Sequence, residues 1–206
     1  MPILILIRHA ETDYVGKRLA GHLPGIHLNQ KGKQQAEQLA QKLSEIPITK
    51  IYSSPLERAV KTAETLAHRR GLSINILQAL MEIDVGDWQG KSLPALRRLK
   101  RWQATHDEPA RFSFPNGESF IDKQQAMCVA LEKLMRDASD NEIIACVSHG
   151  DPIKLSLAYF LGLELNNFQR IIIDPASASF VYFSGNRIRL GPINLVEGVC
   201  LKRPSL

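Results

Sequence analysis

The chain has 206 residues, a formal net charge of +5 at pH 7, 44% hydrophobic residues and 23% charged residues. This composition is ordinary for a soluble globular protein and fits one domain, or one domain with a sizeable insertion. No apolar stretch is long enough to span a bilayer, and the modest positive charge favours an anionic ligand without indicating nucleic acid.

The first half of the chain reads as alternating strands and helices. Residues 3–7 form a continuous apolar run that is typical of a strand buried on both faces. A long loop over 13–27 follows, which either faces a ligand or is a solvated connector. Next come a helix over 30–45, a strand over 48–52, a helix from Pro55 with Ser54 as its N-cap, and a strand over 73–77. This order implies a mostly parallel sheet.

The second half begins with a segment of different character. Residues 78–120 are rich in Gly and Pro and show one short helical pattern over 94–102, so we predict an insertion over the carboxyl edge of the sheet. Beyond it we predict a helix over 121–138, a strand over 143–147, a helix over 152–161 capped by Asp151, a strand over 168–173 and an antiparallel hairpin over 179–183 and 187–190.

The expected fold class is therefore α/β. We predict a single three-layer α/β/α domain over residues 1–206, with a mostly parallel central sheet and an antiparallel edge hairpin. The insertion over residues 78–120 is expected to form a lid over an active site.

Polar side chains follow three of the predicted strands at their carboxyl ends. Arg8 and His9 follow the first strand, Ser54 and Arg58 the second, and His149 the fourth. Ligands of open α/β sheets bind at this edge, and the helix start near Arg58 adds N–H groups that favour an anion. Each residue alone has an ordinary explanation, with Arg58 on the surface and His149 in the core. Their coincidence favours a common site.

Such a site fits phosphoryl transfer through a histidine. The neutral imidazole of His9 would attack phosphorus and form a phosphohistidine, which splits one difficult step into two easier ones. Arg8 and Arg58 would hold the phosphoryl oxygens, because a guanidinium binds two oxygens at once. A protonated His149 would add hydrogen-bond donors to the oxygens where charge builds up.

The leaving alkoxide of such a reaction needs a proton, and Glu82 is the best-placed carboxyl group. It follows the third strand and so lies at the same edge of the sheet. Met81 and Ile83 are expected to exclude water from Glu82 and raise its pKa, as a general acid near neutral pH requires. Asp84 and Asp87 are rivals, whose ordinary explanation is a hydrogen-bonded turn.

Sequence signatures of other chemistries are missing. The chain has no Cys-x5-Arg loop, Walker loop, Gly-x-Ser-x-Gly, Gly-x-Gly-x-x-Gly or His-Glu-x-x-His pattern, and its six His are scattered, so we predict no metal and no cofactor. The basic run over 97–101 fits a solvated helix face better than a nucleic-acid contact. Cys128, Cys146 and Cys200 lack metal-ligand spacing, and the first two lie in apolar stretches, so a reducing cytoplasm is expected.

The motifs resemble those of a known family. The segment Arg8-His9-Ala10-Glu11-Thr12 resembles the Arg-His-Gly-Glu-Thr/Ser motif of the histidine phosphatase superfamily, in its phosphoglycerate mutase-like branch. Residues 53–59, 82–90, 115–119 and 148–150 resemble the later motifs in the same order. Two residues depart from the pattern: Ala10 replaces the commoner Gly, and Val15 stands where many members carry an Asn that contacts phosphate.

The resemblance implies site residues that agree with the reasoning from the residues themselves. It implies His9 as the phosphorylated nucleophile, Glu82 as the proton donor, no metal requirement, and a phosphate pocket made of Arg8, Arg58 and His149. The further residues predicted to bind substrate are Thr12, Gly21, His22 and Gly150.

Three activities fit this site. We favour hydrolysis of a small phosphorylated metabolite, because mutases of this family usually carry a longer insertion after the acid and a longer tail. The alternatives are a phosphoglycerate-type mutase and a non-catalytic protein that binds phosphorylated ligands. The predicted partner is a small phosphate ester, with no nucleic acid and no membrane, and the oligomeric state is left open.

Overall fold

The structure, a computed structural model, describes residues 1–185 and 187–196. Its sheet has the strands β1 (Ile3–Arg8), β2 (Lys50–Ser53), β3 (Ile74–Ile76), β4 (Ile143–Ser148), β5 (Ala178–Ser184) and β6 (Arg187–Leu190), in the order β3-β2-β4-β1-β5-β6. The first four run parallel, whereas β5 pairs antiparallel with β1 and β6. The predicted sheet and its edge hairpin are confirmed for the described residues, and Asn186, which the prediction placed between the two hairpin strands, lies outside them.

Helices cover both faces of this sheet, as the predicted three layers require. They are α1 (Gln30–Lys42), α2 (Glu57–His68), α3 (Leu93–Leu96), α4 (Lys100–Asp107), α5 (Phe120–Arg136) and α6 (Gly150–Leu161). Alternate side chains of β1 point to opposite faces: Ile3, Ile5 and Ile7 join the apolar cluster of α1 and α2, and Leu4 and Leu6 join that of α5 and α6. Residues 3–7 of β1 are therefore all apolar because both faces of the strand are buried there, and only the last residue, Arg8, is polar. No helix of the described residues is long and apolar enough to cross a membrane.

Two helix starts differ from the prediction, for the same physical reason. Helix α2 begins at Glu57 and not at Pro55, and Ser54 does not cap it, because its hydroxyl is engaged with His149. Helix α6 already begins at Gly150, so Asp151 lies inside the first turn and His149 takes the N-cap position. In both places a side chain that resembles a helix cap is placed within the polar edge of the sheet.

The predicted strand over 168–173 is wrong. Residues Leu165–Arg170 form a 3₁₀ helix, and the chain beyond them pairs with no described strand. Ile171 and Ile173 are buried and Ile172 is exposed, which is the alternation of a strand. The edge of β1 is already paired with β5. The segment with the alternating pattern therefore has no free edge of β1 with which to form hydrogen bonds.

The segment over residues 78–120 packs at the carboxyl edge of the sheet. The carbonyl of Leu80 accepts a hydrogen bond of 2.8 Å from the Ser148 hydroxyl at the end of β4. The single helix predicted over 94–102 is two helices, α3 and α4, and the basic residues of the run over 97–101 are exposed. An aromatic cluster holds the segment together, in which the ring centroid of Trp88 lies 5.5 to 5.7 Å from those of Trp102, Phe112 and Phe114.

Candidate active site

Parallel pairing brings the ends of β1, β2 and β4 to one point. Arg8 lies opposite Ser148 in the register of β1 and β4, and Ser53 lies opposite Val147 in that of β2 and β4. The residues that follow these strands are therefore neighbours. The imidazole rings of His9 and His149 meet edge to face, with centroids 5.1 Å apart.

The ring of His9 is held in one tautomer. Its Nδ1 lies 2.7 Å from the carbonyl oxygen of Ala10, and because a carbonyl only accepts, Nδ1 carries the proton. The lone pair is then on Nε2. Burial, and next the charges of Arg58 and Arg8, lower the pKa of His9 well below its ordinary value. Both effects favour the neutral form of the ring.

Two guanidinium groups flank this ring, each anchored by one nitrogen. Arg8 donates from Nη1 to the carbonyl of Ile173 at 2.6 Å, and Arg58 donates from Nη2 to the carbonyl of Gly21 at 2.9 Å. Arg58 is only 1% exposed, although it lies in the first turn of a helix. Each anchor fixes the plane of its guanidinium group and leaves other N–H groups free for a ligand.

His149 is wholly buried and is oriented by Ser54. The Ser54 hydroxyl lies 2.8 Å from Nε2 of His149 and accepts from the backbone N–H of Leu56. When that hydroxyl donates to Nε2, the proton of the neutral ring is on Nδ1. Burial, followed by the charge of Arg58, lowers the pKa of His149 well below its ordinary value. The protonated form of His149, on which the sequence-based donor role depended, is therefore disfavoured, yet the neutral ring still offers a donor at Nδ1.

Unpaired hydrogen-bond donors collect in this one place. Among the described residues, six buried side-chain nitrogen or oxygen atoms lack a partner, and four of them are Nε of Arg8, Nε and Nη1 of Arg58, and Nδ1 of His149. Buried polar groups normally have partners, because leaving one unpaired costs about 1–3 kcal/mol. These four N–H groups, three of them on guanidinium groups, have the chemistry that binding an anion requires.

Glu82 faces this cluster from the segment over 78–120. It lines the same pocket as Arg8, His9 and Arg58. Loss of water contact, and then the negative charge of Asp151, raise the pKa of Glu82 to about 7, although Arg58 opposes the shift. Sequence reasoning attributed the shift to apolar neighbours. Ile83 is indeed buried, but Asp151, on another element, contributes as well.

The loop that carries Glu82 is braced by the turn over residues 115–118. Glu118 accepts from the backbone N–H of Asp84 at 2.8 Å, and its own N–H donates to the Asp84 carbonyl at 2.9 Å. Gly86 has a φ of +49°, and a Cβ there would lie 2.1 Å from the Pro115 carbonyl oxygen. Only glycine fits this approach. The turn therefore fixes the backbone beside the carboxyl group of Glu82.

The rivals of Glu82 are engaged in that loop. Asp84 accepts from the backbone N–H of Gly86 at 2.9 Å, and Asp87, which is exposed, accepts from the side-chain amide of Asn116. Both are the hydrogen-bonded turn residues that the sequence suggested as their ordinary role.

The predicted substrate-binding residues are divided by the structure. Thr12, Gly21 and Gly150 line a pocket of about 170 Å³ together with Arg8, His9 and Arg58. A Cβ on Gly150 would lie 3.4 Å from the Arg8 guanidinium, an ordinary van der Waals contact, so Gly150 lies directly beside this group. The ring of His22 does not line the described pocket. It donates to the backbone carbonyl of Glu82 at 2.5 Å and so supports the pocket wall.

Four residues of the site were missed or given another role at the sequence level. Ser54 was placed at the carboxyl edge of the sheet but expected to cap a helix, Asp151 was interpreted as a helix cap, and Lys154 and Lys123 were not singled out. Lys123 is 4% exposed, its Nζ lies 3.9 Å from Glu118 Oε2, and burial lowers its pKa. A lysine in an amphipathic helix is usually exposed, so the sequence carried no signal for Lys123.

The described residues contain no group of three or more His, Cys, Asp or Glu side chains that could hold a metal ion. The two cysteines within the described part, Cys128 and Cys146, are free and buried, as predicted, and Cys200 lies outside it.

Comparison with known proteins agrees with this geometry. Residues 4–195 match the model of the histidine phosphatase superfamily (branch 1). Phosphoserine phosphatase 1 of Hydrogenobacter thermophilus is 31% identical over 200 residues, which cover 93% of this chain and 92% of that protein. The 2,3-bisphosphoglycerate-dependent phosphoglycerate mutase of Thermoplasma acidophilum is 30% identical, over 97% of this chain and 96% of that protein.

A solved structure shares the fold closely. A mutant of phosphoserine phosphatase from Entamoeba histolytica in complex with phosphoserine superposes with a TM-score of 0.84 at 27% identity, over 96% of this chain and 98% of that one. Since the family model spans nearly all described residues and includes every element that builds the cationic pocket, the chain belongs to the histidine phosphatase superfamily, branch 1.

Proposed function

We propose that the chain hydrolyses small phosphomonoesters through a phosphohistidine formed on His9. The observation that carries the proposal is the set of unpaired N–H groups on Arg8, Arg58 and His149 around a histidine whose Nε2 lone pair is free. Phosphatases among the relatives and the structural neighbours support the reaction class.

In the first step, the Nε2 lone pair of His9 forms a bond to phosphorus as the bond from phosphorus to the ester oxygen breaks. The ester oxygen takes the proton of Glu82 and leaves as an alcohol. The N–H groups of Arg8, Arg58 and His149 bind the three phosphoryl oxygens, where charge increases in the transition state. Charge on His9 is stabilised by the bound phosphoryl group and by the Ala10 carbonyl, which accepts from Nδ1.

In the second step, the ionised Glu82 takes a proton from water as the water oxygen attacks phosphorus. The bond between phosphorus and Nε2 breaks, its electron pair returns to the ring of His9, and inorganic phosphate leaves. Glu82 is thus an acid in one step and a base in the next, which suits a carboxyl group with a pKa of about 7.

We further propose that the chain is one domain over residues 1–206, in which residues 78–120 act as a lid. Ile83, Val85 and Leu93 from this segment line the pocket, which supports a role in excluding water. We also propose that the protein acts in the cytoplasm, without a metal or cofactor and without a nucleic-acid or membrane partner. The exposed cations of the run over 97–101 support a solvated face.

The second candidate function is that of a phosphoglycerate-type mutase, which the Thermoplasma acidophilum relative favours. The two are separated by supplying 3-phosphoglycerate and a bisphosphoglycerate primer in buffer with EDTA. Phosphate release and 2-phosphoglycerate formation are then followed together by ³¹P NMR. We expect phosphate release to be the faster process and to be unaffected by EDTA. Faster isomer formation would establish the mutase, and a loss of activity in EDTA that Mg²⁺ restores would contradict the metal-free reaction.

The pH dependence of kcat/KM is expected to report the proton of Glu82. For an alkyl phosphate, kcat/KM should fall above about pH 7, because the free protein then loses the proton that the leaving alkoxide needs. In the substrate complex, the negative charge of the bound phosphate disfavours ionisation of Glu82 and raises its pKa further. The fall in kcat should therefore come at higher pH than the fall in kcat/KM. Asp151→Asn removes a like charge and should move the alkaline limb of kcat/KM to lower pH. An unmoved limb in this variant would show that another group titrates.

A further inference from the structure

Two side chains of opposite charge line the pocket beyond the phosphate-binding cluster, and the proposed reaction uses neither directly. Asp151 and Lys154 lie in the first turns of α6, directly after Gly150, which packs against the guanidinium of Arg8. At about 1.5 Å of rise per residue, Lys154 lies only about 6 Å along the helix axis from Gly150. Both residues are thus within reach of the ester group of a bound phosphomonoester.

Lys154 and Asp151 pair with each other, with Nζ 3.1 Å from Oδ1, and their side chains are 20% and 32% exposed. Asp151 lies in the first turn, where a negative charge favours the helix dipole, and Lys154 lies one turn further on. The (i, i+3) spacing of the pair stabilises the helix only modestly. Both side chains also line the pocket, so their charges are available to a bound ligand.

The rest of the pocket restricts what the pair can meet. Arg18 lines the pocket and donates from Nη1 to the carbonyl of Gly90 at 2.8 Å, while Val15, Leu19 and Leu93 supply apolar surface. The pocket volume of about 170 Å³ suits a phosphoryl group and a few further heavy atoms. A small leaving group would lie between apolar side chains and a rim that carries charges of both signs.

We propose that Asp151 and Lys154 form a specificity subsite for a leaving group that carries both an ammonium and a carboxylate group, so that the substrate is an O-phosphorylated amino acid. This inference rests on the proposed phosphatase function. The ammonium group of the ligand pairs with Asp151 and its carboxylate pairs with Lys154, near Arg18. Two ion pairs then replace the one that binding opens, and no charge is left without a partner.

The same arrangement works against a purely anionic leaving group. A hydroxy acid in place of the amino acid brings a carboxylate to the rim but no cation for Asp151. When the ligand carboxylate pairs with Lys154, the Asp151 carboxylate loses its partner and is left unpaired beside Glu82. A ligand with an ammonium and no carboxylate leaves Lys154 unpaired instead. Specificity of this kind comes from the penalty on the wrong ligand as much as from the contacts of the right one.

The test compares kcat/KM for three small esters that differ only in these groups: O-phosphoserine, 3-phosphoglycerate and O-phosphoethanolamine. Measurements are made below the alkaline limb, so that Glu82 is protonated in every variant. Each analogue lacks one hydrogen bond between charged groups. The kcat/KM of the native chain should therefore be higher for O-phosphoserine than for either analogue by roughly tenfold or more. Asp151→Asn should remove the preference over 3-phosphoglycerate, and Lys154→Met the preference over O-phosphoethanolamine.

A matched control is Glu64→Gln, which breaks another ion pair of the same spacing, that of Lys61 with Glu64 at 2.8 Å on the surface of α2. This variant should keep both preferences and the native rates. The same three ligands are titrated into His9→Ala by calorimetry, so that selectivity is measured even if turnover is absent.

The outcomes separate the two proposals. Suppose that the chain hydrolyses an aryl phosphate whose aryl group is uncharged, and that kcat/KM is equal for O-phosphoserine and 3-phosphoglycerate. This result would support the phosphatase function and overturn the subsite. Preferences that persist in both variants would overturn it too, as would a phosphorylated polyol that surpasses O-phosphoserine. Selective binding of O-phosphoserine to His9→Ala, with no hydrolysis by the native chain, would support the subsite and overturn the phosphatase.

Discussion

Replacement of His9 by alanine is expected to abolish turnover of every phosphate ester. The first step needs a nucleophile, and within the pocket only His9 offers a neutral nitrogen whose lone pair is fixed by the bond from its Nδ1 to Ala10. Loss of the nucleophile should lower kcat by about 10³-fold or more, leaving the small rate that the remaining donors support. The measurement is steady-state phosphate release from an aryl phosphate and from an alkyl phosphate.

The intermediate gives a second, independent readout of the same variant. Native protein quenched with base after mixing with a ³²P-labelled ester should carry an alkali-stable, acid-labile label, and His9→Ala should carry none. His68→Ala is the matched control, because His68 lies exposed at the last residue of α2 and should leave rate and labelling unchanged. A labelled His9→Ala protein would place the intermediate elsewhere, and equal low rates in the native and variant proteins would point to a non-catalytic binder.

The convergence of the site was predictable because it depends on strand direction alone. Parallel strands share a carboxyl edge, so the residues after β1, β2 and β4 had to meet whatever the details of their loops. Arg8 ends β1, His9 and His149 directly follow β1 and β4, and Arg58 lies near the start of the helix that follows β2. The sequence alone therefore predicts that these residues meet at one edge of the sheet.

Contacts between distant segments were not predictable in the same way. Ser54 and Asp151 have the local pattern of helix caps, and only the packing of α2 and α6 at the edge shows that one orients His149 and the other faces Glu82. The apolar alternation around Ile172 predicted a strand, but sheet membership depends on a free neighbouring edge, which β5 occupies. Local patterns specify local preference, and tertiary competition decides between them.

The protonation of His149 shows a different limit. Sequence reasoning placed a donor at this position on the condition that the ring is protonated, since a charged ring donates from both nitrogens. The structure obtains the donor without the charge, because the Ser54 hydroxyl lies at Nε2 and leaves Nδ1 for a ligand. The chemical role could be anticipated from the residue type, whereas the tautomer depends on one hydroxyl group from another strand end.

Replacement of Glu82 by glutamine is the change with the second largest expected effect, and its size should depend on the leaving group. An alkoxide is a poor leaving group without a proton, so kcat/KM for an alkyl phosphate should fall by about 10² to 10⁴. A nitrophenolate leaves without protonation, and the first step with p-nitrophenyl phosphate should therefore be nearly as fast as in the native chain. The ratio of the two kcat/KM values measures the proton transfer directly.

The second step of the same variant makes a distinct prediction. Without the Glu82 carboxylate to take a proton from water, the phosphohistidine should accumulate, and stopped-flow mixing with p-nitrophenyl phosphate should show a burst of nitrophenolate close to one per active site. Asp87→Asn is the matched control, because Asp87 lies in the same loop, is exposed and pairs with Asn116. It should show native rates and the native burst.

The pattern across both steps decides whether Glu82 transfers protons or only shapes the pocket. A carboxyl group that merely packs against Arg58 would, when replaced, slow aryl and alkyl esters by the same factor and produce no burst. Replacement of a group that transfers protons would slow the first step much more for the alkyl ester than for the aryl ester. It would slow hydrolysis of the phosphohistidine equally for both esters. Because one residue is assigned to both steps, a Glu82→Gln protein that discriminates between the esters but does not accumulate phosphohistidine would require a second base, and Asp151, which lines the same pocket, is the residue that a double variant would test.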